Sequence, residues 1–160
     1  MKTKRIAALL GAVIFLLCGL CCCKEKETLT VNQISKKLNE LCFVNVDNYE
    51  VSKADIENRF NFDGNKLSDY SVRLCDSEEK FICVAVLTLK NSEDKKELTE
   101  TFNSVAKNTA SSYGTLNASE YSKIQKRLFY EYKDIIIFIV ADDYSAPENY
   151  LLEIGAKPIA

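Results

Sequence analysis

Histidine is absent from the 160 residues, which removes the commonest general base and the commonest zinc ligand. Carboxylates, phenols and thiols are left as carriers of chemistry. Asp142-Asp143 follows a predicted strand, a loop position where ligand groups often gather. Joined by Asp63 or Glu131, these acids would supply a cation or sugar site, or a carboxyl pair for acid–base hydrolysis. Left apart, acids ahead of a helix are ordinary partners of its N-terminal dipole. Tyr130 and Tyr132 share a strand face with Leu128. Exposed, they would stack on carbohydrate or peptide; buried, they belong to the core. Asp63-Gly64-Asn65 with Asp69 hints at a calcium loop, which needs glycine at its sixth position and a carboxylate at its twelfth. Counted from Asp63, those positions hold Ser68 and Leu74, so the segment reads as a turn.

Of seven cysteines, Cys18, Cys21, Cys22 and Cys23 lie in the N-terminal apolar run, leaving Cys42, Cys75 and Cys83. Three thiols allow at most one internal disulfide, and Cys75 and Cys83 flank a predicted hairpin turn where they would be able to face each other. The plainer expectation is three buried thiols, because Cys83 sits in an apolar strand and Cys42 ends a helical stripe. No C-x-x-C occurs after residue 23, and no imidazole is present to activate a thiolate. No G-x-S-x-G, P-loop or dinucleotide fingerprint appears, so neither catalytic nor metal residues are assigned and no cofactor is expected.

The elements that must position these groups follow from periodicity. Val31, Ile34, Leu38 and Leu41 recur at helical spacing behind a Thr30/Gln33 capping box, which predicts a helix over 31–42. Asn45 to Tyr49 reads as a turn region. Ser52 and Asp55 open a short helix to about Phe60. Tyr70, Val72 and Leu74 alternate with Ser71 and Arg73, giving a half-buried strand. Phe81 to Leu89 is nearly all apolar and β-branched, as expected of a strand covered on both faces. Ser92 is expected to cap a long helix whose inner face carries Leu98, Phe102, Val105 and Thr109. Asn117 with Glu120 makes a second capping box. Leu128 to Tyr132 and Ile135 to Ala141 form a hairpin around Lys133-Asp134. A last helix starts near Ser145 and Pro147 and stops at Gly155. The predicted order is ααββααββα. It implies an α+β fold with a four-stranded, largely antiparallel sheet of two hairpins and helices packed on it.

The N-terminus is of another kind. Met1 to Arg5 is basic, Ile6 to Leu17 is uncharged and apolar, and Lys24-Glu25-Lys26-Glu27 ends the run sharply. Such a sequence partitions into a membrane with its positive end cytoplasmic, as a secretory signal does. The boundary is cysteine, and it resembles the bacterial lipoprotein signal, in which a Leu-x-x-Cys box presents a thiol for diacylglyceryl transfer before cleavage. Leu20-Cys21-Cys22-Cys23 places leucine three residues before Cys23, the favoured attachment residue, with Cys22 and Cys21 as lesser choices. Cysteine in the two positions before Cys23 departs from the usual alanine, serine or glycine. Two acyl chains, at about 0.8 kcal/mol per buried CH₂, would hold the domain on a membrane unaided. The alternative is an uncleaved signal anchor, since Ile6 to Cys23 is at the short end of a spanning helix.

These boundaries divide the chain into a signal segment, 1–23, a tether, 24–29, and one α+β domain, 30–160. Without residues 1–23, acids outnumber bases by 23 to 18. That excludes a nucleic-acid footprint and electrostatic docking on anionic lipid. The lipoprotein-like start, VNQISKKLNELC, the strand pair SVRLCDSEEKFICVAVLTLK and the stretch SSYGTLNASEYSKIQKRLFYEYKDIIIFIVADD together resemble the lipoproteins of Gram-positive anaerobes grouped as domain-of-unknown-function family 4358. The resemblance implies a fold and an extracytoplasmic location, and transfers no functional residues. The expected role is a non-enzymatic, lipid-anchored domain on the outer face of the cell membrane that binds or supports an envelope protein. A small-ligand or solute-binding lipoprotein is the second reading, and a carboxylate-dependent envelope hydrolase the third. Replacing Cys23 by serine is expected to change fatty-acid labelling of the protein in its host. Unchanged labelling after replacement of Cys18, Cys21, Cys22 and Cys23 together would exclude the lipid anchor.

Overall fold

The computed structural model of the chain describes residues 28–77, 79–114 and 117–159. The signal segment 1–23, with Cys21, Cys22 and Cys23, and tether residues 24–27 lie outside the described residues. Helix α1 (Val31–Cys42) starts as its capping box dictates. Thr30 Oγ1 accepts the Gln33 amide at 3.3 Å, and Gln33 Oε1 accepts the Thr30 amide at 2.9 Å. Strand β1 (Asn48–Glu50) and helix α2 (Lys53–Phe60) follow, the latter capped by Ser52. A 3₁₀ turn leads into β2 (Leu67–Cys75) and β3 (Cys83–Leu89). Helices α3 (Lys95–Tyr113) and α4 (Ala118–Gln125) connect to β4 (Leu128–Tyr132) and β5 (Ile135–Val140). Helix α5 (Ser145–Ile154) and strand β6 (Lys157–Pro158) end the fold.

All pairings are antiparallel, in the order β1-β2-β3-β5-β4-β6. The α+β class and both predicted hairpins are present. The expectation of four strands is corrected to six, because each edge gains a short strand. Residues 48–50 (NYE) and 157–158 (KP) carry no alternation of their own. They become strands only by pairing with the free rims of β2 and β4. Side chains of β3 and β5 alternate between two cores. Cys83, Ala85, Leu87, Ile136, Phe138 and Val140 face α2, α3 and α4. Val84, Val86, Ile137 and Ile139 face α1 and α5. A strand buried on both sides must be apolar throughout, which is what the FICVAVLTL run displays.

Two further expectations are corrected. Ser92 does not cap α3: residues Ser92–Asp94 form a 3₁₀ turn, and Asp94 instead binds Lys66 at 3.1 Å. The buried face of α3 is Leu98, Phe102, Ala106 and Ala110, while Val105 is only partly buried. Cys83 pairs in register with Leu74 and not with Cys75, and the two cysteines belong to opposite faces, so the three described thiols are free and buried. Burial pushes the Cys42 thiol up to about 12 and the Cys83 thiol higher still.

Phe102 holds the larger core together. It stacks on Phe60 with ring centroids 4.6 Å apart and meets Phe138 edge-on at 5.3 Å. Phe102→Ala is expected to cost about 3–5 kcal/mol, the loss typical of a buried aromatic. Urea unfolding of the two proteins would measure it, and a loss below about 1 kcal/mol would contradict the packing described.

Candidate functional site

The acids singled out by sequence do not converge. Asp63 Oδ1 accepts the Asn65 amide at 2.8 Å and shapes the turn before β2. Glu131 binds Lys95 at 2.7 Å, which fastens β4 to the start of α3. Asp143 Oδ1 accepts the Ser145 amide at 2.9 Å. That hydrogen bond holds its carboxyl below the usual value and steadies the first turn of α5. Asp142 goes elsewhere, to Lys123 at 2.8 Å and Lys80 at 3.3 Å. Partial burial pushes the Asp142 carboxyl up, but the two ammonium groups outweigh it and the net direction is down.

Tyr130 and Tyr132 are core residues, 6% and 8% exposed, so the stacking surface imagined for them is not there. The cause is coverage of the sheet face by α1 and α5. Tyr130 still reaches a polar partner, donating its hydroxyl hydrogen to Glu148 Oε1 at 2.9 Å. Burial and that carboxylate together raise the phenol above its ordinary value. The Lys133 ammonium lies 5.6 Å over the Tyr132 ring.

Asp142 instead belongs to a cluster of four charges of alternating sign. Asn117 caps α4 by accepting the Glu120 amide at 3.1 Å. The capping-box expectation would return the Glu120 carboxylate to this cap. It turns inward, accepting the Phe81 amide at 3.0 Å and the Lys123 ammonium at 2.8 Å. The Glu120 and Lys123 side chains are only 8% and 9% exposed, so each charge depends on the other. Asp142 and Lys80, about half exposed, extend the row to the surface. Tyr144 donates to the Lys123 carbonyl at 2.8 Å, and burial lifts its phenol to about 12. The cluster joins α4, the β2–β3 turn and the loop after β5. The i,i+3 spacing of Glu120 and Lys123 was visible in sequence, but its direction of burial was not.

Chemically, each acid here has an ammonium or amide partner, and no two carboxylates share a proton. Among the described residues no group of three histidine, cysteine, aspartate or glutamate side chains is placed to hold a metal ion. A polar groove of about 580 Å³ runs beside α1, lined in part by Ser35, Asn39, Asn48, Ser71 and Arg73. The Ser35 and Ser71 hydroxyls share a 2.6 Å hydrogen bond, and Arg73 Nε donates to Asn48 Oδ1 at 2.6 Å. Asn39 Nδ2 donates to Ser35 Oγ at 3.2 Å, while its Oδ1 is buried without a partner.

No family model, curated protein or solved structure matches this chain. Among the described residues no helix is long and apolar enough to cross a membrane.

Removing Glu120 alone takes the side-chain acceptor from the Phe81 amide and leaves the nearly buried Lys123 ammonium with Asp142 as its one acidic partner. Glu120→Leu and Lys123→Met are each expected to cost on the order of 3 kcal/mol. The double variant should cost at least about 1 kcal/mol less than their sum. Urea denaturation of the four proteins decides this, and strict additivity would show that the two charges do not support one another.

Proposed function

We propose that this chain is a lipid-tethered extracytoplasmic domain that acts by binding a cell-envelope partner and not by catalysis. The observation that carries the reading is the use of its ionisable groups. Asp63, Glu131, Asp142 and Asp143 are each spent on a turn, a strand–helix tie, a lysine pair or a helix start. Cys42 and Cys83 are held as neutral thiols by burial. A nucleophile or general acid needs the opposite arrangement, a reactive group facing a cleft with its pKa moved toward neutrality. The N-terminal sequence supports the tether: a basic start, an apolar run and a cysteine boundary with the leucine of a lipoprotein box.

The polar groove beside α1 favours one second reading, capture of a small polar ligand. Its volume of about 580 Å³ lies within the range of small-molecule sites, and amide and hydroxyl groups line it.

Intact and native mass spectrometry of the protein extracted from its host's membranes tests both readings together. A mass corresponding to cleavage before Cys23 plus acyl chains is the expected result, and an unmodified full-length mass would overturn the lipid tether. A retained protein partner supports the leading role. A retained small molecule, lost on substituting Asn39 and Arg73, would replace it with the second.

A further inference from the structure

The lipid-tether reading, on which this inference rests, leaves open which side of the domain meets the bilayer. The point where the chain enters the fold decides it. Thr28 Oγ1 accepts a hydrogen bond from Lys133 Nζ at 2.5 Å, at the turn between β4 and β5. Leu29 packs against the core on that side, and Thr30 caps α1. The contact of Thr28 with Lys133 therefore places the entry point at one end of the sheet, and Leu29 and Thr30 tie the chain to the core and to α1.

That end and its opposite are defined by strand register. Thr88 of β3 pairs with Ile135, and Leu67 of β2 pairs with Leu89, so these termini lie beside the β4–β5 turn. Lys90 donates its amide to the Lys66 carbonyl at 2.8 Å on the same rim. At the far end Cys83 pairs with Val140, and Lys80 binds Asp142. The two ends are separated by the length of β5.

Reach then sets the orientation. From Cys23 to Thr28 are five residue steps, which span at most about 18 Å fully extended. From Asp134 to Asp142 are eight steps of extended chain, about 26 Å. A tether shorter than the sheet lets the domain lean, but it cannot turn it over. Of the lysines at the entry end, Lys66 is bound to Asp94 and Glu97, Lys95 to Glu131, and Lys133 to Thr28, and with Asp134 beside them this end forms no basic patch. Orientation would follow from chain length and not from attraction to anionic lipid.

We propose that the end of the sheet bearing Lys133 and Asp134 is the bilayer-facing surface of this domain, resting at the phospholipid headgroups. The opposite end, with the β2–β3 turn, Lys80 and Asp142, is held away from lipid.

Single cysteines introduced by Asp134→Cys, Lys36→Cys and Ser77→Cys place a fluorophore at the near end, the flank and the far end. All three positions are exposed, whereas Cys42, Cys75 and Cys83 are buried. The acylated full-length protein is reconstituted in phosphatidylcholine–phosphatidylglycerol vesicles containing a nitroxide-headgroup lipid. Quenching is expected to be several-fold stronger at position 134 than at 77, with 36 between them, at low and high salt alike. Equal quenching at 134 and 77, or stronger quenching at 77, would overturn the orientation while leaving the tether intact. Equal quenching at 134 and 36 would mean a domain lying on its side, and would overturn it too. Failure of a protein without acyl mass to float with the vesicles would end both readings, and the mass of the same sample tells the two failures apart.

Discussion

Strands β3 and β5 are paired along their whole length, and nearly every side chain in both is buried. A strand pair of this kind cannot stand at a surface. Its odd and even side chains point to opposite sides, so both sides must be roofed with apolar helix faces. The rest of the architecture answers that demand. Helices α1 and α5 cover one side, and α2, α3 and α4 cover the other. The chain order supplies them alternately, one helix group before the first hairpin, one between the hairpins and one after the second.

The same constraint explains the edges. The central strands are apolar, and an unprotected apolar edge invites pairing with another chain. Here the sheet tapers outward, to three residues in β1 and two in β6. Pro158 in β6 lacks an amide hydrogen to offer. At the other edge Arg73 holds Asn48 and approaches Glu50 at 3.8 Å, so charge crowns the last pairing.

Polar groups serve this scaffold in the same way. The Glu120–Lys123 pair is buried where α4 meets the β2–β3 turn, and its second contact, the Phe81 amide, fixes that turn. Asp142 and Lys80 carry the charges out to water. Such a cluster is costly to desolvate and specifies how its elements meet.

Local order in this protein was legible wherever one element carries its own signal. The capping box at Thr30, the all-apolar run before Leu89, the two hairpins and the Gly155 stop each depend on residues a few positions apart, and each appears where the sequence places it. The α+β class and the two hairpin pairings follow from these. The edge strands, the separation of Cys75 and Cys83 onto opposite faces, the burial of Tyr130 and Tyr132 and the inward turn of Glu120 were decided by tertiary structure alone. The physical reason is common to all of them. A side chain's surroundings at these positions come from elements distant in the chain, such as β2 for β1 or α5 for Tyr130, and no short-range pattern encodes which partner will cover it.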